Sequence, residues 1–305
     1  MRLPNFLVIG APKCGTTSLF YYLRQHPDIY LPLRKELHYF AYSQLRERSF
    51  GPGDEAVLLS LCATWKDYKN HYKQAGLQPA VGEVSPSYLY YSDVSGRIQA
   101  ELGEVKIIVI LRDPVEKAYS QYMHMIRERR EPLGFYEALQ AEGVRRENKW
   151  SDIWSYAESS LYSNRLQKYI SVFGRENVKA LLFEDLANHP QKVLADVFRF
   201  LGIDTSFLCD TTKVYNRTGK PRSGLIADFL AKPNNVKTLV KRMVPERIRI
   251  PLRLALLDWN TGDKTAMDQR SSEYLRNYFA EDVRKLESML AISLHWNGTT
   301  EVLTK

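Results

Sequence analysis

One stretch near the N-terminus limits the possible folds more than any other: Phe6-Leu-Val-Ile-Gly-Ala-Pro-Lys-Cys-Gly-Thr-Thr-Ser-Leu19. An apolar run leads straight into a loop with one lysine between two glycines, and hydroxyl residues follow where a helix would start. The first turn of a helix presents unpaired backbone N–H groups and a partial positive charge, which makes it an anion site. Gly10 and Gly15 let the backbone turn closely around a phosphate, and Lys13 sets a point charge inside the loop. Thr16, Thr17 and Ser18 add hydroxyl donors. The segment predicts a strand–loop–helix unit with a phosphate cradle.

It is not the usual nucleotide cradle. In the G-x-x-x-x-G-K-[ST] loop the lysine directly follows the second glycine and reaches the outer phosphates. The spacing from Gly10 to Gly15 fits, but Thr16 stands where that lysine belongs and Lys13 lies within the loop. An NTPase also needs a strand-end Asp for its Mg²⁺. The candidate, Asp113, follows Arg112 instead of ending the strand directly. A P-loop kinase or NTPase is therefore the alternative reading.

Further apolar runs extend the pattern. Ala80–Val84 reads as a short buried strand, and Val105–Leu111 as a strand buried on both faces. Asp113-Pro114 then starts a helix to about Arg130, with Asp as N-cap and Pro at the first helical position. The spacing predicts helices at about Thr16 to Gln25, Ser159 to Phe173 and Pro190 to Leu201, and a strand at Asn177 to Phe183. Helices are also expected between residues 41 and 75, and a helical tail over Lys264 to Ile292 packing across a sheet edge. This alternation predicts an α/β fold: a mainly parallel central sheet flanked by helices, with a helical C-terminal part. At 305 residues without a Gly/Ser-rich linker or internal repeat, the chain is expected to form one domain, 1–305. Ligands of such sheets bind outside the carboxyl ends of the strands, where Gly10, Glu83 and Arg112 are expected to share one crevice.

The formal net charge is +8, and residues 217–253 alone carry ten Lys or Arg against Asp228 and Glu246. Such a block suits a polyanion or is a solvated face, so a non-catalytic polyanion-binding protein is a third reading. Three cysteines, Cys14, Cys62 and Cys209, are too few and too odd for a disulfide framework and point to a reducing compartment. No C-x-x-C or histidine cluster offers a metal site, and no run reaches the roughly 20 apolar residues of a membrane span. The expectation is a cytoplasmic protein that binds neither metal nor nucleic acid; nothing in the chain bears on its oligomeric state.

With these parts assembled, the chain resembles the sulfotransferases that use 3′-phosphoadenosine 5′-phosphosulfate (PAPS), closest to the heparan-type carbohydrate enzymes and their bacterial relatives. Pro12-Lys-Cys-Gly-Thr-Thr-Ser18 is similar to the family's 5′-phosphosulfate loop, which implies cofactor contacts from Lys13, Cys14, Gly15, Thr16, Thr17 and Ser18. Ile110-Leu-Arg-Asp-Pro-Val-Glu-Lys-Ala-Tyr-Ser120 is similar to its 3′-phosphate motif, in which Arg112 and Ser120 would grip the phosphate. Lys35-Glu-Leu-His-Tyr-Phe40 resembles the segment with the catalytic glutamate and a neighbouring histidine. Ser159-Ser-Leu-Tyr162 and Gly219-Lys-Pro-Arg222 resemble later segments, implying Tyr162, Lys220 and Arg222 at the cofactor, the last two on a capping loop. The resemblance departs at Glu83-Val84-Ser85-Pro86, where the animal carbohydrate enzymes have Glu-Lys-[ST]-Pro. That leaves more of the charge stabilisation to Lys13.

The implied reaction is sulfuryl transfer from PAPS to a hydroxyl acceptor, expected to be a carbohydrate or glycoconjugate. Its transition state spreads charge over the equatorial and leaving oxygens, so positioning and electrostatics supply most of the catalysis. Lys13 can stabilise the departing phosphate oxygen. The acceptor hydroxyl needs a base within hydrogen-bond reach: Glu36 is the first candidate, and His38 either orients it or is itself the base. Tyr88, Tyr90 and Tyr91 could floor an acceptor, although aromatics at that spacing more often belong to the core.

Overall fold

The apolar runs become five strands: β1 Phe6–Gly10, β2 Ile29–Tyr30, β3 Ala80–Val84, β4 Lys106–Leu111 and β5 Val178–Leu182. The structure is a computed structural model that describes residues 2–58, 61–213, 222–223 and 265–296, with isolated positions between 244 and 262. The strands are ordered β2-β3-β1-β4-β5, and every neighbouring pair is parallel. A parallel sheet needs crossovers that cover its faces. Accordingly β1 and β3 are buried along their whole length, and β4 is buried except at Lys106, whereas the edge strand β5 is partly open.

β1 lies at the centre, with Leu7 opposite Glu83 on one side and Ile107 on the other. The chain fills the β3 side of β1 first and then crosses to the β4 side, so the order reverses at β1. Such a switch point opens a crevice outside the strand ends. Backbone hydrogen bonds tie the emerging segments together there: Ala11 N–H donates to Ile110 O (2.8 Å), Ser85 N–H to Val8 O (3.0 Å) and Glu36 N–H to Val84 O (3.0 Å). Gly82 is required by close approach, since a Cβ there would stand 2.1 Å from the Phe6 ring.

The helices follow their local signals. Asp113 Oδ1 accepts from Val115 N–H at 2.9 Å and Pro114 opens the Pro114–Arg127 helix. Gly174, at φ 81°, ends the Ser163–Phe173 helix. That helix starts four residues later than expected, because Glu158–Ser160 forms a 3₁₀ turn. Its N-terminus is capped from far along the chain: Asp282 accepts from the N–H groups of Tyr162 (2.8 Å) and Ser163 (3.1 Å). Asp282 belongs to the Gln269–Leu290 helix, the expected helical tail. This helix packs on the Ser163–Phe173 and Pro114–Arg127 helices instead of crossing a sheet edge, because its buried residues Leu275, Phe279, Val283 and Leu286 need a broad apolar surface. β2 had no legible signal at two residues, and Phe183 opens a short helix, Phe183–Asn188, where the strand was expected to continue.

Candidate active site

A cavity of about 560 Å³ lies outside the strand ends. Its wall brings together Lys13, Gly15, Thr16, Thr17, Ser18, Glu36, His38, Arg112 and Ser120, from three separate segments of sequence.

The cradle is built by Gly15. It caps the Thr16–Leu23 helix in the left-handed region, φ 86° and ψ 9°, with no side-chain cap and no acidic residue in the first turn. A Cβ at this position would also come within 3.1 Å of the Phe183 ring. The N-terminal partial charge is thus left facing the cavity, as an anion site requires. Burial, with Arg127 and Arg112 adding their fields, pushes the Lys13 ammonium down to about 7. An anion bound beside it reverses that penalty. The Arg112 guanidinium donates through Nη1 to Lys13 O (3.3 Å) and through Nη2 to Glu116 (3.3 Å), and it lies 4.5 Å over the Phe183 ring. A planar, charged fork is therefore preset at the cavity wall.

Cys14 and Tyr162 stand behind this loop and not on the cavity wall. Cys14 is fully buried, its N–H donates to Ala11 O (3.3 Å), and its thiol is pushed up to about 11 by burial. The Tyr162 hydroxyl donates to Arg112 O at 3.1 Å and lies 3.8 Å from Cys14 Sγ. Both side chains brace the cradle from beneath. Arg222 is exposed, with its N–H donated to Asn260 O (2.7 Å), and is not part of the cavity wall. Lys220 and most of the basic block lie outside the described residues.

The Glu36 loop rests on a buried carboxylate. Glu83 does not reach the crevice: it is 1 % exposed and accepts hydrogen bonds from the hydroxyls of Ser85 (2.6 Å), Tyr88 (2.6 Å) and Tyr68 (2.7 Å). Ser85 Oγ in turn accepts from His38 N–H at 3.2 Å. With Glu36 N–H bonded to β3, this support holds Glu36 and His38 at positive φ, 67° and 55°, on either side of the buried Leu37. Burial alone would raise the Glu36 carboxyl, but the adjoining Lys35 ammonium and His38 outweigh it and hold it below the usual carboxylate range. His38 Nε2 is 3.5 Å from Glu36 Oε2, and its Nδ1 is 2.7 Å from Ser87 Oγ. Each ring nitrogen thus has a polar neighbour, Glu36 at Nε2 and Ser87 at Nδ1. Tyr88 belongs to the core, Tyr90 packs under Arg165, and the Tyr91 hydroxyl donates to Asp152 at 3.3 Å.

The cavity wall also holds His124, Arg127, Asp152 and Phe183, none of them a candidate on sequence. Ser120, His124 and Arg127 are spaced i, i+4, i+7 on one helix face, so that signal was available. Arg127 Nη2 donates to His124 Nδ1 (2.9 Å), and burial with the fields of Lys13, Arg127 and Arg130 keeps this imidazole neutral. Among the described residues no group of three or more His, Cys, Asp or Glu is arranged to hold a metal ion, and no helix is long and apolar enough to cross a membrane.

A family model, the sulfotransferase family, matches residues 4–206. A solved sulfotransferase from Alicyclobacillus acidocaldarius is 33% identical, with a TM-score of 0.78 over 97% of this chain and 99% of that one. Carbohydrate sulfotransferase 15 of Mus musculus is 28% identical over 246 residues, 66% of this chain and 44% of that protein. The chain spans about half the length of the curated relatives it matches, heparan sulfate glucosamine 3-O-sulfotransferases among them. A mouse sulfotransferase solved in complex with PAP shares the fold, with a TM-score of 0.52 at 15% identity over 95% of this chain and 90% of that one.

Proposed function

The chain belongs to the sulfotransferase family, and from that premise we propose that it transfers a sulfuryl group from PAPS to a hydroxyl of a carbohydrate or glycoconjugate, with Glu36 as general base. The observation that most supports this reading is that one cavity joins an anion cradle, carrying Lys13 and Arg112, to an ionised carboxylate on a separate, rigid loop. The bound form of PAP in a fold relative and the carbohydrate sulfotransferases among the curated relatives agree with it.

PAPS supplies an activated sulfuryl group on a phosphate leaving group. The backbone around Gly15 and the Thr16–Ser18 turn hold the 5′ anion, and Arg112 with Ser120 holds the 3′-phosphate. Glu36 accepts the acceptor's hydroxyl proton as its oxygen bonds to sulfur, and Lys13 neutralises the bridging oxygen as the old sulfur–oxygen bond breaks. In this scheme His38 orients Glu36 through its Nε2 contact, with Ser87 holding the ring at Nδ1.

No metal has a role in this scheme: Asp113, two residues beyond β4, serves as the N-cap of the Pro114–Arg127 helix. A cytoplasmic, reducing setting is also proposed, supported by the three cysteines, all unpaired and buried.

Transfer of label from [³⁵S]PAPS to neutral glycosides, measured in EDTA, tests the scheme. Undiminished transfer is the expected result, whereas loss on chelation with recovery on added Mg²⁺ would contradict it. In the same assay system, Arg112→Ala is expected to weaken adenosine 3′,5′-bisphosphate binding by about 2–4 kcal/mol, the scale of a lost charged pair. An unchanged dissociation constant in the folded variant removes Arg112 from the cofactor site.

A further inference from the structure

Asp152 is a carboxylate on the cavity wall that neither the phosphate cradle nor the Glu36 loop uses. It opens the 3₁₀ turn Asp152–Trp154, and that turn is fixed from both flanks. On one flank, Gln121 Nε2 donates to Asp152 O (3.2 Å) and Ile153 O (2.9 Å). On the other, the fully buried Asp54 accepts from Ser151 N–H (3.0 Å), Ser151 Oγ–H (2.8 Å) and Trp154 Nε1–H (3.1 Å). Asp54 is itself paired with Arg130. The main chain at Asp152 thus has little freedom, while its side chain remains lightly engaged.

That side chain accepts on Oδ1 from the Tyr91 hydroxyl at 3.3 Å and interacts with its own backbone N–H, and among the described residues it forms no ion pair. The groups whose fields reach it are His38 and Lys117, and Lys117 Nζ is turned to Ser159 Oγ at 2.6 Å. Burial raises the Asp152 carboxyl, and those two fields oppose the rise. A fixed carboxylate with spare acceptor capacity, at the wall of a ligand cavity, calls for a donor on the ligand. The cavity wall is mixed, carrying Ser87 and His38 as well as the apolar Leu45, Val57 and Ile153. A sugar ring suits it, since it carries several hydroxyl donors around an apolar face.

We propose that Asp152 accepts a hydrogen bond from a second hydroxyl of the saccharide acceptor, and so helps decide which hydroxyl is offered to Glu36. This rests on the sulfotransferase reading above and specifies how its acceptor is held. Removing the sugar's donor or the protein's acceptor should then cost the same interaction, and removing both should cost no more than either alone.

The test uses p-nitrophenyl β-D-glucopyranoside and its 2-, 3-, 4- and 6-deoxy analogues with the intact protein and saturating PAPS. In the wild type, one deoxy analogue other than the one lacking the sulfated hydroxyl is expected to lose about 10- to 100-fold in kcat/KM, the scale of a hydrogen bond to a charged group. In Asp152→Ala that particular penalty should disappear, the KM for the parent glucoside should rise by a similar factor, and bisphosphate binding should stay unchanged. Asp152→Asn, which keeps a carbonyl acceptor, should recover part of the discrimination. If every deoxy penalty persists in Asp152→Ala, the proposal is overturned and the sulfotransferase reading stands. If the wild type sulfates none of the glycosides, the saccharide reading itself fails.

Discussion

Glu36→Gln is expected to lower kcat by roughly 10²–10⁴-fold, the contribution of a positioned general base, while leaving bisphosphate affinity nearly unchanged. The amide keeps the size of the carboxylate but cannot accept the acceptor's proton. Glu36 hangs from β3 through its own N–H and takes no part in the cradle, so the cofactor should bind the variant normally. The pairing with Lys35 and His38 makes Glu36 a weak base that is always ionised. That suits proton transfer late in the reaction, when bond formation to sulfur has made the acceptor oxygen acidic. His38→Ala should cost less than Glu36→Gln, because the imidazole orients the carboxylate. A Glu36→Gln enzyme turning over near the wild-type rate, with His38→Ala inactive, would move the base to His38.

Lys13→Ala is expected to lower kcat by about 10²–10³-fold, the scale of losing one preorganised electrostatic contact to a developing charge. Its effect on bisphosphate binding should be smaller, because that charge matters most on the leaving oxygen. Lys13 also gives binding a pH dependence whose sign can be worked out. Its ammonium titrates near 7 in the free protein, and a bound anion raises that value, so binding takes up a proton. Wild-type affinity should be fullest below about pH 7 and decline as pH rises above it, by no more than tenfold per unit. Titration from pH 7 to 9 should show this decline in the wild type and a flatter curve in Lys13→Ala. Identical curves for the two proteins would show that Lys13 does not titrate at the site.

What could be read in the sequence was whatever local chemistry specifies. Gly15 lets the backbone turn tightly at a helix start, Asp113-Pro114 opens a helix, and Val105–Leu111 reads as a buried strand; the structure has all three elements. The convergence of Lys13, Glu36, His38, Arg112 and Ser120 on one cavity follows from the parallel sheet, which gathers the carboxyl ends of its strands. Features that depend on partners distant in sequence were not legible. Asp152 is positioned through Asp54, ninety-seven residues from the Ser151 it anchors, and no spacing rule connects them. Cys14 and Tyr162 belong to similar motifs, yet packing turns both beneath the cradle. The Gln269–Leu290 helix announced its periodicity but not its docking surface, which Asp282 selects by capping another helix.

The central claim is that the cradle binds a PAPS-type nucleotide without metal. Calorimetric titration of the intact protein with adenosine 3′,5′-bisphosphate in EDTA, set beside ATP with Mg²⁺, tests it most directly. Saturable one-to-one binding of the bisphosphate, at least tenfold tighter than ATP–Mg²⁺ and greatly weakened in Arg112→Ala, is the predicted result. Preference for ATP–Mg²⁺, or bisphosphate binding that appears only when Mg²⁺ is added, would contradict it.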